Sequence, residues 1–210
     1  MAAPPTAAIE AFGSRLPAAE RYAAMLCGAG VERGLIGPRE AERIWQRHVL
    51  NSVALAKWVP TGARVVDIGS GAGLPGIPLA LARPDLELTL CEPMQRRVAF
   101  LEDVVADLRL PVSVLRARAE QLPRRSFDVA VARAVAPLER LVTLARPALV
   151  PTGCLLALKG RSVMSEVEAA GATLRSAGAT VEVETPRVAG ETTYVVRITW
   201  PHGATRRGSR

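Results

Sequence analysis

The sequence predicts an α/β fold: a mostly parallel sheet with helices on both faces, a C-terminal antiparallel strand pair, and a helical cap in front. Three observations predict it. Strand-like and helix-like segments alternate from Arg64 onward. A glycine-rich turn follows the first strand. The last two strand-like segments follow one another with no helix between them. Alternation of this kind implies parallel strands joined by crossovers, with ligands bound beyond the carboxyl ends of the strands. The chain has 210 residues, of which 49% are hydrophobic. That supports one sizeable domain with a short appendage.

The elements run as follows. Residues 1–60 read as a helical segment packed on the main domain. Within it Pro17 to Ala29 form a helix, and Pro38 stands where a helix start tolerates proline. Ile44, Val49, Val53 and Leu55 follow a roughly helical rhythm, with Trp45 and Trp58 adding bulk. Pro60, Thr61 and Gly62 break the chain. Residues 61–202 read as the ligand-binding domain. Arg64–Ile68, Leu86–Glu92, Val112–Leu115, Phe127–Ala132 and Cys154–Leu158 are its strands. Pro75–Arg83, Met94–Leu108, Leu138–Leu149 and Ser165–Ala177 are its helices, the second with Val98, Leu101, Val105 and Leu108 on one face. Thr180–Thr185 and Thr193–Thr199, joined through Pro186 and Gly190, are expected to pair antiparallel. Met1–Ala8 and the arginine-rich tail, residues 203–210, are expected to be disordered.

Composition narrows the function. Cys27, Cys91 and Cys154 are far apart, with no metal-ligand or redox spacing, so no metal site is expected and the chain reads as reduced and cytoplasmic. There is no signal-peptide pattern. The longest apolar stretch, Leu74 to Ala82, falls far short of the roughly 20 residues of a membrane span. The net charge of +7 favours a polyanionic partner. Lys57 and Lys159 are the only lysines among 27 basic residues, so part of this balance reflects the codon bias of a GC-rich genome. A monomer is expected.

The loop Asp67-Ile68-Gly69-Ser70-Gly71-Ala72-Gly73-Leu74-Pro75-Gly76 carries the chemistry. Gly71, Gly73 and Gly76 satisfy a dinucleotide-binding pattern, and Glu92 follows Gly71 by about 20 residues, where a ribose-binding acid belongs. A nicotinamide dehydrogenase is therefore one reading. Asp67 favours another. A carboxylate at the end of the first strand would repel a pyrophosphate. It suits S-adenosylmethionine, which has no phosphate and carries an ammonium and a sulfonium. The Asp-x-Gly-x-Gly-x-Gly phase is the methyltransferase form, with Asp67, Gly69, Ser70, Gly71 and Gly73 as cofactor candidates. Glu92 is placed to accept hydrogen bonds from both ribose hydroxyls, and Ala119-Glu120, after the third strand, to flank the adenine.

The loop after the fourth strand, Val131 to Pro137, faces the methyl acceptor in this architecture. It lacks the Asn/Asp-Pro-Pro-aromatic run that cradles an exocyclic amine and a cysteine for covalent attack. Arg133 is its candidate catalytic group, with a planar fork for a carboxylate or a base oxygen. An acceptor that needs no general base fits, and guanine N7 is one, so orientation and electrostatics would supply the catalysis.

Four stretches carry a family resemblance: His48-Val49-Leu50-Asn51-Ser52, the loop from Asp67 through Gly76-Ile77-Pro78, Arg133-Ala134, and Ala157-Leu158-Lys159-Gly160. With them the chain resembles, from about Arg21 to Trp200, the small-subunit ribosomal RNA guanine-N7 methyltransferases, also called the glucose-inhibited division protein B family. The resemblance implies a helical cap before a Rossmann-like class I methyltransferase sheet. It implies S-adenosylmethionine as donor and one guanine of small-subunit (16S) ribosomal RNA, naked or in the assembled subunit, as acceptor. It implies that Gly69, Leu74, Ala119-Glu120 and Arg133 contact the cofactor and that His48, Lys159 and Arg197 face RNA. Many members carry Asp where this chain has Asn51, which takes an acid away from His48. A dehydrogenase, a non-catalytic RNA-binding protein and a methyltransferase acting on a small molecule remain alternatives at this level.

Overall fold

The computed structural model describes residues 3–201. Its centre is a seven-stranded sheet in the order β3-β2-β1-β4-β5-β9-β6. The strands are β1 (Arg64–Ile68), β2 (Glu87–Cys91), β3 (Val112–Leu115), β4 (Phe127–Arg133), β5 (Leu149–Lys159), β6 (Thr180–Glu184) and β9 (Tyr194–Thr199). β1 to β5 are mutually parallel, and β9 runs antiparallel to both of its neighbours. The chain order reverses between β1 and β4, and the loops after these strands open a crevice there. A small hairpin, β7 (Arg187–Val188) with β8 (Glu191–Thr192), interrupts the expected link from β6 to β9.

Helices cover both faces. α1 (Thr6–Phe12), α2 (Leu16–Met25) and α3 (Asn51–Val53) belong to the front segment. α4 (Gly76–Ala82) and α5 (Gln95–Leu108) share a core with them, and α6 (Leu138–Ala145), α7 (Val163–Ala169) and α8 (Gly171–Ser176) cover the other face. α4 is apolar all round because the sheet lies on one side and the front segment on the other, so Ile77, Pro78, Leu79 and Leu81 are all buried. α5 buries Val98, Leu101 and Val104 and ends where Arg109 turns left-handed at φ 49°.

Several elements depart from the sequence expectation. Met1–Ala8 was expected to be disordered, yet α1 begins at Thr6. Ala8 and Phe12, one turn apart, are both buried in the main core. α6 stops at Ala145, and β5 begins at Leu149 rather than Cys154, because Pro147 cannot continue the helix. The helix expected over Ser165–Ala177 divides at Ala170 into α7 and α8. The front segment is only partly regular α-helix: beside α1, α2 and α3, Leu26–Gly30 and Ile44–Leu50 are π-helical, and Pro38–Arg43 and Ala54–Trp58 are 3-10 turns. The expected tail, residues 203–210, lies outside the described residues. Among the described residues no helix is long and apolar enough to cross a membrane.

Candidate cofactor pocket and acceptor cleft

The glycine loop is tied to the strand beside it. Gly69 and Ser70 both donate their N–H to the Cys91 carbonyl, at 2.8 and 3.1 Å. Gly69 has φ +69°, and a Cβ there would lie 2.8 Å from Val135 Cγ1, so the position needs glycine for backbone and space alike. Ser70 is buried and donates to the Asp67 carbonyl. Glu92 joins two loops: one carboxylate oxygen accepts the Gly71 N–H and the other the Met94 N–H, both at 3.0 Å. Each oxygen keeps a second lone pair for a ligand, and Arg97 stands 3.6 Å away. Glu92 thus builds the site, beyond the ribose role expected of it.

Asp67 lies deeper than the sequence suggests. Its carboxylate is fully buried under the loop, where Oδ2 accepts the Gly76 N–H at the start of α4, at 3.0 Å. Burial pushes its carboxyl up to about 7, against the pull of the Gly76 hydrogen bond. Among the described residues its Oδ1 has no hydrogen-bond partner. A buried acceptor left bare is costly. A cationic donor carried by a ligand on the loop would relieve it, as the chemistry of S-adenosylmethionine requires.

Ile68, Gly69, Cys91, Met94, Ala119 and Leu144 enclose a pocket of about 410 Å³, with Arg118, Glu120 and Arg140 also lining it. The volume and the mainly apolar walls suit a nucleoside. Gly69, Ala119 and Glu120 of the expected cofactor residues line it, whereas Asp67, Ser70, Gly71, Gly73 and Glu92 lie beneath or beside it and Arg133 lines a separate cavity. Leu74 does not line it either, because its side chain joins the core shared with the front segment.

Val135 also lines a second cavity, a cleft of about 910 Å³. Three parts of the chain meet around it: Arg43, Arg47 and Asn51 in front, Arg133 to Pro137 after β4, and Lys159 to Arg161 with Glu191 and Tyr194 behind. Arg43 pairs with Glu191, and Asn51 donates to Thr193 Oγ1 at 2.8 Å, so the front segment and the C-terminal strands are joined across the cleft.

Arg133 ends β4 beside this cleft. One guanidinium nitrogen donates to the His48 carbonyl at 3.3 Å, and the other reaches His48 Nδ1 at 2.9 Å. His48 Nε2 lies 2.7 Å from Glu40 Oε2. The acid that Asn51 takes away is therefore supplied by Glu40. Burial first, and then the Arg133 charge, push the His48 imidazole below its ordinary value and keep it neutral.

The three residues expected to face RNA do not present free cations. His48 is buried, with both ring nitrogens engaged. The Lys159 side chain is 6% exposed and donates to the Ala136 carbonyl and to Glu166. Arg197 sits mid-strand on β9, paired with Glu182 on β6, and does not line the cleft. Lys159 still lines the cleft, beside Arg161 and beside Arg43 and Arg47, which pair with Glu191 and Glu40. Two further residues escaped the sequence reading. Glu40 carried no pattern. Tyr22, fully buried on α2, donates its hydroxyl to the Ala72 carbonyl in the glycine loop at 2.8 Å.

Residues 15–192 match the family described as rRNA small subunit methyltransferase G. The chain belongs to that family. A ribosomal RNA small subunit methyltransferase G of Frankia alni is 56% identical over 84% of this chain and 70% of its own length. One of a Nocardioides species is 51% identical over 97% of this chain and 87% of its own. Membership in the rRNA small subunit methyltransferase G family leaves the dehydrogenase and the non-catalytic RNA-binding readings without support. Solved structures share the fold. A methyltransferase from Aquifex aeolicus described as dependent on S-adenosylmethionine matches with a TM-score of 0.57 at 18% identity, covering 81% of this chain and 96% of that one. The B. subtilis tRNA methyltransferase TrmK matches with a TM-score of 0.59 at 13% identity, covering 71% and 65%.

Proposed function

We propose that this chain is an S-adenosylmethionine-dependent methyltransferase that modifies N7 of a guanine in small-subunit ribosomal RNA. It acts as a cytoplasmic monomer on that RNA, naked or in the assembled subunit. The observation that carries the reading is the meeting of two cavities at Val135, one sized for a nucleoside and one a cleft lined by Arg43, Arg47, Arg133 and Arg161. S-adenosylmethionine supplies an electrophilic methyl group on a sulfonium. The chain holds it with the Gly69–Gly73 backbone, with Glu92 and Ala119-Glu120 around the nucleoside, and with Asp67 Oδ1 as acceptor beneath the loop.

The acceptor side supports a nitrogen that brings its own lone pair. The imidazole of His48 has neither nitrogen free to take a proton. Guanine N7 needs no proton removed. Arg133, donor-only and held at two points, suits the neighbouring O6. Catalysis is then orientation in a site already shaped.

The test incubates the chain with methyl-labelled S-adenosylmethionine and either ribosomal RNA or small subunits. Label is expected in the RNA of the subunit, and borohydride–aniline scission should report a 7-methylguanosine. Labelled RNA that resists scission would move the acceptor atom elsewhere. No label in either substrate would remove the activity.

A further inference from the structure

We infer that Glu40 and His48 are positioning residues for the methyl transfer: Glu40 fixes the tautomer of His48, and His48 holds the Arg133 guanidinium in the acceptor cleft. The inference rests on the methyltransferase reading for its consequence and on contact geometry for its existence.

The tautomer follows from donor and acceptor counting. A guanidinium has only donors, so at 2.9 Å from Arg133 the Nδ1 of His48 must offer its lone pair. The proton then sits on Nε2 and donates to Glu40 Oε2 at 2.7 Å. The His48 carbonyl accepts the second arm of Arg133, so the guanidinium is held at two points from one residue. The opposite tautomer would set an N–H against an N–H at Arg133 and leave Glu40 facing a bare nitrogen. An anion at Glu40 is thus what selects the form of His48 that can hold Arg133.

Among the described residues, the charges that act on His48 are Glu40, Arg47 and Arg133. Glu40 and Arg47 come from its own segment, and Arg47 stands 3.3 Å from the other Glu40 oxygen. Arg133 comes from β4. Tyr22, from α2, is kept protonated by burial and by Asp67. Glu191, from β8, is paired with Arg43. Acidification that makes His48 an imidazolium breaks the Arg133 contact and frees its side chain. Loss of orientation by about 1 Å at a reacting site can cost about a hundredfold in rate, so an intermediate loss is expected when only the support for Arg133 is removed.

The full chain is tested in two readouts. Heteronuclear NMR of the ring nitrogens, with His48 assigned by the signal that disappears in His48→Gln, should show a bare Nδ1 and a protonated Nε2 at about pH 7.5. The opposite tautomer, or an imidazolium at that pH, overturns the inference. Methylation of small subunits is then followed from about pH 5.5 to about 9. Glu40→Ala should lower kcat about tenfold and leave the subunit KM within about twofold. Glu40→Gln keeps an oxygen for the Nε2–H and should restore kcat to within about threefold of wild type. It also withdraws the negative charge that favours the imidazolium, so the acid limb should move to lower pH. Adding Glu40→Ala to Arg133→Ala should cost nothing further. Wild-type kcat in Glu40→Ala, an additive double variant, or an unmoved acid limb overturns the inference. A wild-type chain that transfers no methyl group sinks the methyltransferase reading instead, and the tautomer then decides the Glu40–His48–Arg133 arrangement by itself.

Discussion

At the scale of single residues, Asp67 sets stability against ligand binding. Its carboxyl is raised from the ordinary range to about 7 by burial. The folded chain holds the proton more tightly than the unfolded one, so this group favours folding below about pH 4, and that contribution is lost as pH rises through about 7. Asp67→Asn keeps an acceptor for the Gly76 N–H and removes the titration. Above pH 7 the variant should melt higher than the wild type in a thermal scan, and its melting temperature should vary less between about pH 4 and 8. Calorimetry should show about tenfold weaker binding of S-adenosylmethionine, because the bare anionic oxygen is gone. Arg133→Ala should lower kcat/KM about a hundredfold with the fold retained, and Arg133→Lys should not restore it, since one ammonium cannot replace the two arms on His48. Wild-type kcat/KM in the lysine variant would show that only the charge matters. The glycine loop and Arg133 were legible because each stands at the end of a strand in a periodic pattern. Glu40 was not: its meaning comes from a ring eight residues on, and that ring's other partner lies 85 residues further away. Lys159 and Arg197 read as free cations because nothing in the sequence marks Glu166 and Glu182 as their partners. Those pairings appear only once helix position and strand register are fixed.

At the scale of elements, the front segment supports the glycine loop directly. Tyr22 carries the contact from α2 to Ala72. Tyr22→Phe removes one buried hydrogen bond and leaves a carbonyl unpaired, which costs about 1–2 kcal/mol in urea unfolding. The same variant should bind S-adenosylmethionine more weakly, because the loop loses an anchor. Unchanged affinity would mean that the loop keeps its shape without α2. The strands were legible nearly to their ends, since β-branched and aliphatic runs bounded by proline and glycine leave little choice. The span of Arg64–Ile68 and that of Val112–Leu115 agree with their sequence reading. The front segment was legible as helical and not as π-helical or 3-10, because apolar spacing does not distinguish turns whose pitch is set by tertiary packing. The β7–β8 hairpin, two residues per strand, is too short to leave a period.

At the scale of the whole molecule, a few of the 27 basic residues gather in one place. Arg43, Arg47 and Arg161 converge on the cleft from segments more than a hundred residues apart in sequence. Binding to ribosomal RNA should weaken steeply with salt, and Arg161→Glu should reduce the slope of log affinity against log salt by about one for a lost phosphate contact. A slope equal to that of the wild type would put Arg161 off the RNA path. The two cavities also differ in when they come into being. Residues 68–144 supply every wall of the nucleoside pocket, whereas the cleft draws on residues from 43 to 194. A chain made in order therefore has every wall of the smaller pocket before the cleft has its last. The smaller pocket is thus complete in one continuous stretch of chain, while the cleft waits for Tyr194, where β9 begins.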